Sequence, residues 1–447
     1  MLHARPHSGI AMALRVGLAC AILLVTALAA SAQTLRIYHV DVDQGDATLV
    51  VSPSGNTLLI DSGKNGHGPR LNEAMAAAGV TDIDHFVCTH YHEDHYGGID
   101  DLVNDYGISI EHAYDRGDKA YVGSHTSSTQ TYIDYEEAVG HRARHLMRGE
   151  SIPLDEGMLV TCVASGGVVL GEDDPQTGVD ENDMSIALLI QFGGFRCFIG
   201  GDIQEATEEK LATHDLVLDV DLYQADHHGS ETSSTVALLN DMAPAVVIIS
   251  NGDRADYQHP RQSTLDRFAA MSSPPSVFQT NKYTKGGEGG NVPDSHIADL
   301  VPSGDEGLIL VTVDQGAGSY EVSYQDTAFT FPVKALRASP AVVVIESILP
   351  NPIGKDRDLE EATLRNDGPG DVDLSSWLLR DERGRCWTLT AAGTLGAGQK
   401  TTICRDGMPM NLNNNGDRIE LVDSVGSTRD EFSYSSSSEG VVIDTGH

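Results

Sequence analysis

Positive charge is scarce in this chain. Lysine and arginine together number 29 against 66 aspartates and glutamates, for a formal net charge of −37 at pH 7. Such a surface keeps a protein soluble and repels polyanions at long range. It argues against a high-affinity, salt-sensitive grip on duplex nucleic acid. A metal site working locally on phosphodiesters stays compatible with it. Long apolar runs are also missing: after residue 32 no segment offers roughly 18 uninterrupted apolar residues, so no later membrane span is expected. The first 32 residues read as a secretory signal, with Arg5 and Arg15, the apolar run VGLACAILLVTALAA, and ASA before Gln33. Gly17 stands where a lipoprotein signal usually has an aliphatic residue, which argues against lipidation. Cleavage would remove two arginines and take the charge from −37 to −39. The expected location is secreted or periplasmic in a bacterium, with no stable membrane insertion after cleavage.

Cysteine is sparse as well. Cys20 lies in the signal; Cys88, Cys162, Cys197, Cys386 and Cys404 remain. Export permits disulfides. Cys386 with Cys404, and Cys162 with Cys197, are the candidate pairs. Cys88, in the apolar stretch HFVCTH, reads as a buried inert thiol.

A length of 447 residues is too much for one ordinary domain. LRIYHVDV, ATLVVSP and NTLLIDSG read as short strands between turn residues. GPRLNEAMAAAGV reads as a helix, DHFVCTH as a buried strand and GGIDDLVNDYG as a further helix. A related plan recurs: ATLVVSPSGNTLLIDSG ends on Asp61, and SIALLIQFGGFRCFIGGD ends on Asp202. Each is strand, turn, strand. His90 follows the first unit by 29 residues and His227 follows the second by 25, each after a strand. Two half-domains with sheets packed face to face and helices outside are therefore expected, an αββα sandwich with its crevice at the strand ends. The expected divisions are a signal at 1–32, this α/β unit at 33–335, a linker at 336–341 (in KALRASP), and from 342 to 447 short strands suited to an all-β sandwich. SYSSSSEG reads as a flexible, low-complexity element.

The chemistry concentrates in THYHEDHYGG. His90 and His92 alternate by two, so both can face one ion where a strand runs into a loop; Asp94 and His95 can reach a second. Imidazoles with carboxylates suit zinc, manganese or iron, with no thiolate in the set to demand zinc alone. Two ions ~3.5–4 Å apart lower the pKa of a shared water toward about 7. Asp202 is placed by the repeat to lie between them, and His227 or His228 to complete the second. His141 and His145, in GHRARH, are rival ligands if they share one helix face at i and i+4, although a solvated basic helix is the plainer reading.

The ordered set HYHEDH, Asp61 in LLIDSG, Asp202 in IGGD and HHGS resembles the metallo-β-lactamase superfamily over roughly residues 34 to 335. The resemblance implies two divalent transition metal ions, zinc first and manganese second. His90, His92, Asp94, His95, Asp202 and His227 would be ligands, with His228, Asn182 and Asp183 as secondary candidates for metal or substrate. Asp61 and Asp46 would be structural groups beside the site. VDVDQGDATLVVSPSGNTLLIDSG, NDMSIALLIQFGGFRCFIGGD, ADHHGSETSS and YQHP look further like the extracytoplasmic β-lactamase-like domain of DNA-internalisation competence proteins. That likeness implies a metal-dependent phosphodiesterase or nuclease with Asp94 and His259 in catalytic roles. Two departures stand out. Asp43 replaces the first glycine of the family's VGQGD, and ENDMS stands where many members supply a third histidine to the first ion.

The segment from about 340 to 435, with SWLLRD around Trp377 and a late NGDRIEL, resembles the lamin-tail domain, an immunoglobulin-like sandwich. The resemblance implies attachment to a cell surface or substrate. Two other functions remain in view: hydrolysis of carboxylic esters, lactones or β-lactams on the same dinuclear site, and a non-catalytic surface-binding protein. The substrate expected is extracellular, a phosphodiester or another small to polymeric compound.

Overall fold

The computed structural model describes residues 34–445 apart from 118–128, 141, 156, 171–178, 215, 302–306, 335–342, 355–358, 367–371, 397, 425 and 427. The signal at 1–32, the linker at 336–341 and His141 lie outside the described residues. No helix among the described residues is long and apolar enough to cross a membrane.

Strict alternation builds the first sheet. In the opening strand Thr34–His39, Leu35 and Ile37 enter one apolar cluster while Tyr38 enters another on the opposite face. Val50, Leu58 and Ile60 join the first cluster; Leu49, Val51 and Leu59 join the second. Successive side chains point to opposite faces of a strand, so a strand apolar at every position is buried on both sides. The first cluster is the seam between two sheets. It also takes Val160, Leu188, Ile190, Cys197, Leu222, Val246 and Ile248 from the second sheet. The outer face of the first sheet is covered by helices Gly68–Ala78, Ile99–Tyr106 and Gln130–Val139. That of the second is covered by Glu205–Thr213, Val236–Met242 and Gln262–Ala269. Four layers result, in the order helix, sheet, sheet, helix, as the sequence predicts.

The repeat is visible in the pairing. Thr48–Val51 and Thr57–Ile60 form an antiparallel hairpin, and Thr57–Ile60 then pairs in parallel with Ile83–Val87. Ala187–Phe192 and Phe195–Ile199 form the matching hairpin, and Phe195–Ile199 pairs in parallel with Leu222–Gln224. Asp61 and Asp202 therefore leave equivalent strand ends, and the two histidine clusters follow equivalent parallel strands.

A buried polar pin joins the two halves. His39 Nδ1 donates to Gln224 Oε1 at 3.0 Å, and Thr48 Oγ1 donates to the same oxygen at 2.7 Å. Burial, opposed by the Gln224 bond, pushes the His39 pKa down to about 4. The folded protein thus keeps His39 neutral while the unfolded chain takes up a proton below about 6.5. Stability is lost as pH falls through that window, about 2 kcal/mol from this group between pH 7 and pH 5. Urea unfolding of wild type and His39→Gln at both pH values checks this: the variant should lose about that much less on acidification, and equal losses would refute the assignment.

The C-terminal strands form a sandwich from sheets built on Val343–Leu349 with Glu361–Asn366, and on Leu378–Asp381 with Asp417–Val422. Trp377 and Trp387 fill its core, and Trp387 Nε1 donates to the Met410 carbonyl at 2.8 Å. This unit leans on the second sheet: Ser151 N–H donates to the Gly384 carbonyl at 2.9 Å, and Leu159 packs with Leu378, Cys386 and Val422.

Three expectations are corrected here. The candidate disulfides do not form, since all five described cysteines are free thiols. Strand Ala187–Phe192 lies between the strands of Cys162 and Cys197, and Cys386 and Cys404 sit in different sheets. His145 is not helical. The helix stops at Val139, before Gly140, and His145 ends a short strand pairing with Ile110–Asp115. SYSSSSEG is tied down, with Ser437 N–H donating to the Asn414 carbonyl at 2.9 Å.

Candidate metal centre

The strand Ile83–Val87 ends just before Thr89, and the motif then runs from extended backbone into a single helical turn, Glu93–Tyr96. His90 and His92 emerge on one side, with His90 Nε2 2.9 Å from His92 Nδ1. His95, in the turn, points inward and is fully buried. From the other half-domain, Asp202 enters after Phe195–Ile199, and His227 and His228 after Leu222–Gln224. Both histidines have positive φ, 51° and 55°. Non-glycine residues adopt that conformation at a cost of about 1–2 kcal/mol each, and only when the surroundings hold them there. Here the restraints are His227 N–H to the Gly201 carbonyl, Ser233 Oγ to the Asp226 carbonyl at 2.7 Å, and His228 Nδ1 to the Ser250 carbonyl at 3.1 Å.

Two donor groups share Asp202. Asp46, His95, Asp202 and His228 offer donor atoms all within 4.8 Å of one another, and so do His90, His92 and Asp202. The two oxygens of Asp202 divide between them. Oδ1 lies 3.3 Å from His95 Nε2 and 3.5 Å from His228 Nε2. Oδ2 lies 3.8 Å from His90 Nε2 and 3.8 Å from His227 Nε2.

The orphaned atoms test whether metal fits. His95 Nε2, His228 Nε2, Asp202 Oδ1 and both oxygens of Asp46 are buried without a hydrogen-bond partner. Leaving such atoms unpaired costs about 1–3 kcal/mol each, so native proteins rarely converge five of them without a ligand. The donor chemistry, imidazole with carboxylate, matches a divalent transition metal. The other ring nitrogens are already committed. His95 Nδ1 lies 2.7 Å from Asp61 Oδ2, and His228 Nδ1 faces the Ser250 carbonyl. Each pairing fixes the tautomer that leaves Nε2 free to ligate. Asp61 is itself held by the Thr89 N–H at 2.8 Å and the Thr89 hydroxyl at 2.7 Å.

The electrostatics follow from crowding unlike groups in a dry place. Burial alone would push Asp202 up, but His95, His228 and His227 outweigh it and hold the carboxyl well below its usual range. Burial would likewise neutralise His95, yet Asp202 and Asp61 raise it well above the ordinary imidazole value. His90 is driven well down by burial, with His95 adding to the effect. Burial pushes Asp46 up to about 6 against the pull of His228 and His95.

The structure redistributes several sequence-predicted roles. Asp46, expected only beside the site, is a member of the four-donor group. His228, a secondary candidate, is fully enclosed there, whereas His227 stands on the Oδ2 side with its side chain 20% exposed. Their paired left-handed backbone sends adjacent side chains to opposite sides of Asp202. Asp94 lies at the margin, its Oδ2 3.7 Å from His228 Nε2. Asn182 reaches the Oδ2 side of Asp202, with Nδ2 3.5 Å from His227 Nε2 and a buried Oδ1 that lacks a partner. Asp183 turns away and accepts from the Gln204 N–H at 2.9 Å. His259 is buried, its ring 5.6 Å from that of His227 and 6.1 Å from that of His228. Burial, then His228 and His227, push its pKa down to about 2.

Asp43, the departure from the family glycine, keeps a left-handed backbone at φ 55°, which aspartate tolerates. Its added charge faces Arg254 at 3.6 Å. Gly45 cannot be replaced so freely. A Cβ there would stand 2.4 Å from the Asp94 carbonyl oxygen, and that contact is what lets the Asp46 N–H donate to the same carbonyl at 3.2 Å. Sequence reasoning missed one device entirely. Fully buried Arg116 binds Glu181 through two bonds of 2.7 and 2.6 Å, and Glu181 Oε1 also accepts the Tyr91 N–H at 2.7 Å. Arg116 further lies over the Tyr91 ring, 4.3 Å from its centroid. No local pattern links positions 65 residues apart.

Residues 56–250 match the model of the Beta-lactamase superfamily domain, and residues 337–436 match that of the Lamin Tail Domain. ComE operon protein 3 of Bacillus subtilis is 23% identical over 243 residues, which cover 51% of this chain and 29% of that protein. Recombination protein 2 of Haemophilus influenzae is 26% identical over 250 residues, covering 54% and 27%. The chain thus spans less than a third of the length of these relatives. Among solved structures, Zn(2+)-bound PqqB of Methylobacterium extorquens is 14% identical, covers 53% of this chain and 85% of that chain, and superposes with a TM-score of 0.34. Residues 56–250 therefore belong to the beta-lactamase superfamily, related to competence proteins and followed in the same chain by a lamin tail domain.

Proposed function

We propose that this protein is an exported, divalent-metal-dependent phosphodiesterase, with nucleic acid as its substrate. The observation that carries the metal-dependent part is the division of Asp202, one oxygen to each donor group. A pair of ions held there would supply an activated water and neutralise charge on the phosphoryl oxygens. His95, His228, Asp46 and Asp202 would hold one ion. His90, His92 and Asp202 would hold the other, with Asn182 Oδ1 and His227 Nε2 at its edge. His259, kept neutral, offers a hydrogen bond to the substrate from the mouth of the site. Asp94, beside His228, orients the attacking water. The choice of phosphodiesters rests on the relatives, whose names speak of competence and recombination. The lamin tail domain is proposed to attach the enzyme to a surface or substrate.

A second reading, hydrolysis of neutral esters, lactones or β-lactams, is favoured by the net charge of −37. The test sets bis-p-nitrophenyl phosphate and single- and double-stranded DNA and RNA against nitrocefin and a lactone, with zinc or manganese added. Two metal ions per chain and phosphodiester turnover that His92→Ala lowers at least about 100-fold are expected, the loss of a metal ligand being worth several kcal/mol. Turnover of lactam or lactone alone would sink the nuclease reading. Unchanged activity in His92→Ala would sink the metal mechanism.

A further inference from the structure

Cations are few on this surface, and those around the mouth of the site are already engaged. Arg70 pairs with Asp41 at 2.8 Å, Arg254 with Asp43 at 3.6 Å, and Lys285 with Asp253 at 2.8 Å. Arg261 pairs with both Glu231 at 2.6 Å and Glu288 at 2.9 Å. Lys64 differs. Among the described residues no carboxylate lies in ion-pair contact with its ammonium, which instead stands 5.3 Å from the centroid of the Tyr257 ring. Its loop is anchored on the catalytic motif, because the Gly98 N–H donates to the Gly63 carbonyl at 3.1 Å.

Tyr257 is the second half of the feature. Its ring stacks on that of His259, 6.2 Å between centroids and 29° between planes, yet it remains 39% exposed. Its hydroxyl is raised by burial and then by the nearby Asp94 carboxylate. A partly exposed aromatic ring under a lysine that has no carboxylate partner among the described residues, both at the edge of a buried donor cluster, is the combination that single-stranded nucleic acid uses: a π-face for a base and a charge for a phosphate.

We infer that Lys64 and Tyr257 form a substrate rim that grips the nucleotide next to the scissile phosphodiester, Lys64 taking its phosphate and Tyr257 its base. The inference rests on the phosphodiesterase reading above and deepens it: the preferred substrate is a single-stranded polymer, and a lone diester leaves the rim idle. That lysine gives this acidic protein local attraction where its global field repels.

The test uses the full, metal-loaded chain with a short oligothymidylate and with methyl p-nitrophenyl phosphate. Lys64→Ala should lower kcat/KM on the oligonucleotide about 10-fold, mainly through KM, and stay within about 2-fold on the small diester. Binding of a fluorescent, phosphorothioate oligothymidylate should weaken in parallel, its salt slope falling by about 0.7 for one lost contact to a single strand. Tyr257→Ala should lose about 10-fold on the polymer, and Tyr257→Phe should restore it. Equal losses on both substrates, or lowered metal content in either variant, would mean the pair shapes the site and would overturn the inference. So would unchanged oligonucleotide kinetics in variants of an enzyme that cleaves DNA, in which case the phosphodiesterase reading survives. A wild type that neither cleaves nor binds the oligonucleotide would overturn both.

Discussion

Replacing Asp202 by alanine should lower kcat/KM at least about 1,000-fold, equivalent to roughly 4 kcal/mol of transition-state stabilisation. The effect is large because one side chain serves both donor groups, Oδ1 toward His95 and His228 and Oδ2 toward His90 and His227. The variant should also bind less than one ion per chain by elemental analysis. Global unfolding is not expected. With the carboxylate gone, Asp61 alone is left to oppose burial at His95, and Asp46 and Asp94 at His228, so both imidazole pKa values should fall from their raised positions. A variant retaining activity within about tenfold of wild type would show that Asp202 does not join the two groups.

The second large effect concerns stability. Glu181→Ala strips the bidentate carboxylate from Arg116, whose side chain is 0% exposed, and releases the Tyr91 N–H that Glu181 also holds. Breaking one side of a buried ion pair costs about 3–5 kcal/mol, whereas replacing both sides by apolar groups is often close to neutral. Urea unfolding should therefore show Glu181→Ala strongly destabilised and Glu181→Ala/Arg116→Met largely recovered. A loss below about 1 kcal/mol in the single variant would mean that water reaches the guanidinium. Because Tyr91 lies between His90 and His92, the single variant should also weaken metal binding, as loss of outer partners does by about 10–100-fold.

Much of the layered architecture is written locally. The runs LVV at 49–51 and LLI at 58–60 are apolar at every position, which only a sheet covered on both faces can use, and the repeat of hairpin and strand foretells two matched halves. HYHEDH, Asp61 and Asp202 were legible because each closes a strand, and strand ends are where such a sandwich opens its crevice. The helix assigned to GHRARH failed for a local reason: Gly140 ends the helix in a left-handed turn, and the chain beyond it pairs with a neighbouring strand. The cysteine pairings failed for a tertiary one, since nearness in sequence says nothing about which strand lies between.

By itself the sequence determined the element types, the two halves and the residue types gathered at their strand ends, because propensity, alternation and turn chemistry act over a few residues. Only the tertiary structure decided how those residues divide. It drew Asp46 into the donor group, sent His228 to one side of Asp202 and His227 to the other, set Arg116 and Glu181 beneath Tyr91, and put the Lys64 ammonium over the Tyr257 ring with no carboxylate partner among the described residues. Those outcomes depend on left-handed backbone at two adjacent histidines and on contacts between loops from opposite halves of the fold. The energies that choose them exist only once the two sheets have closed on each other.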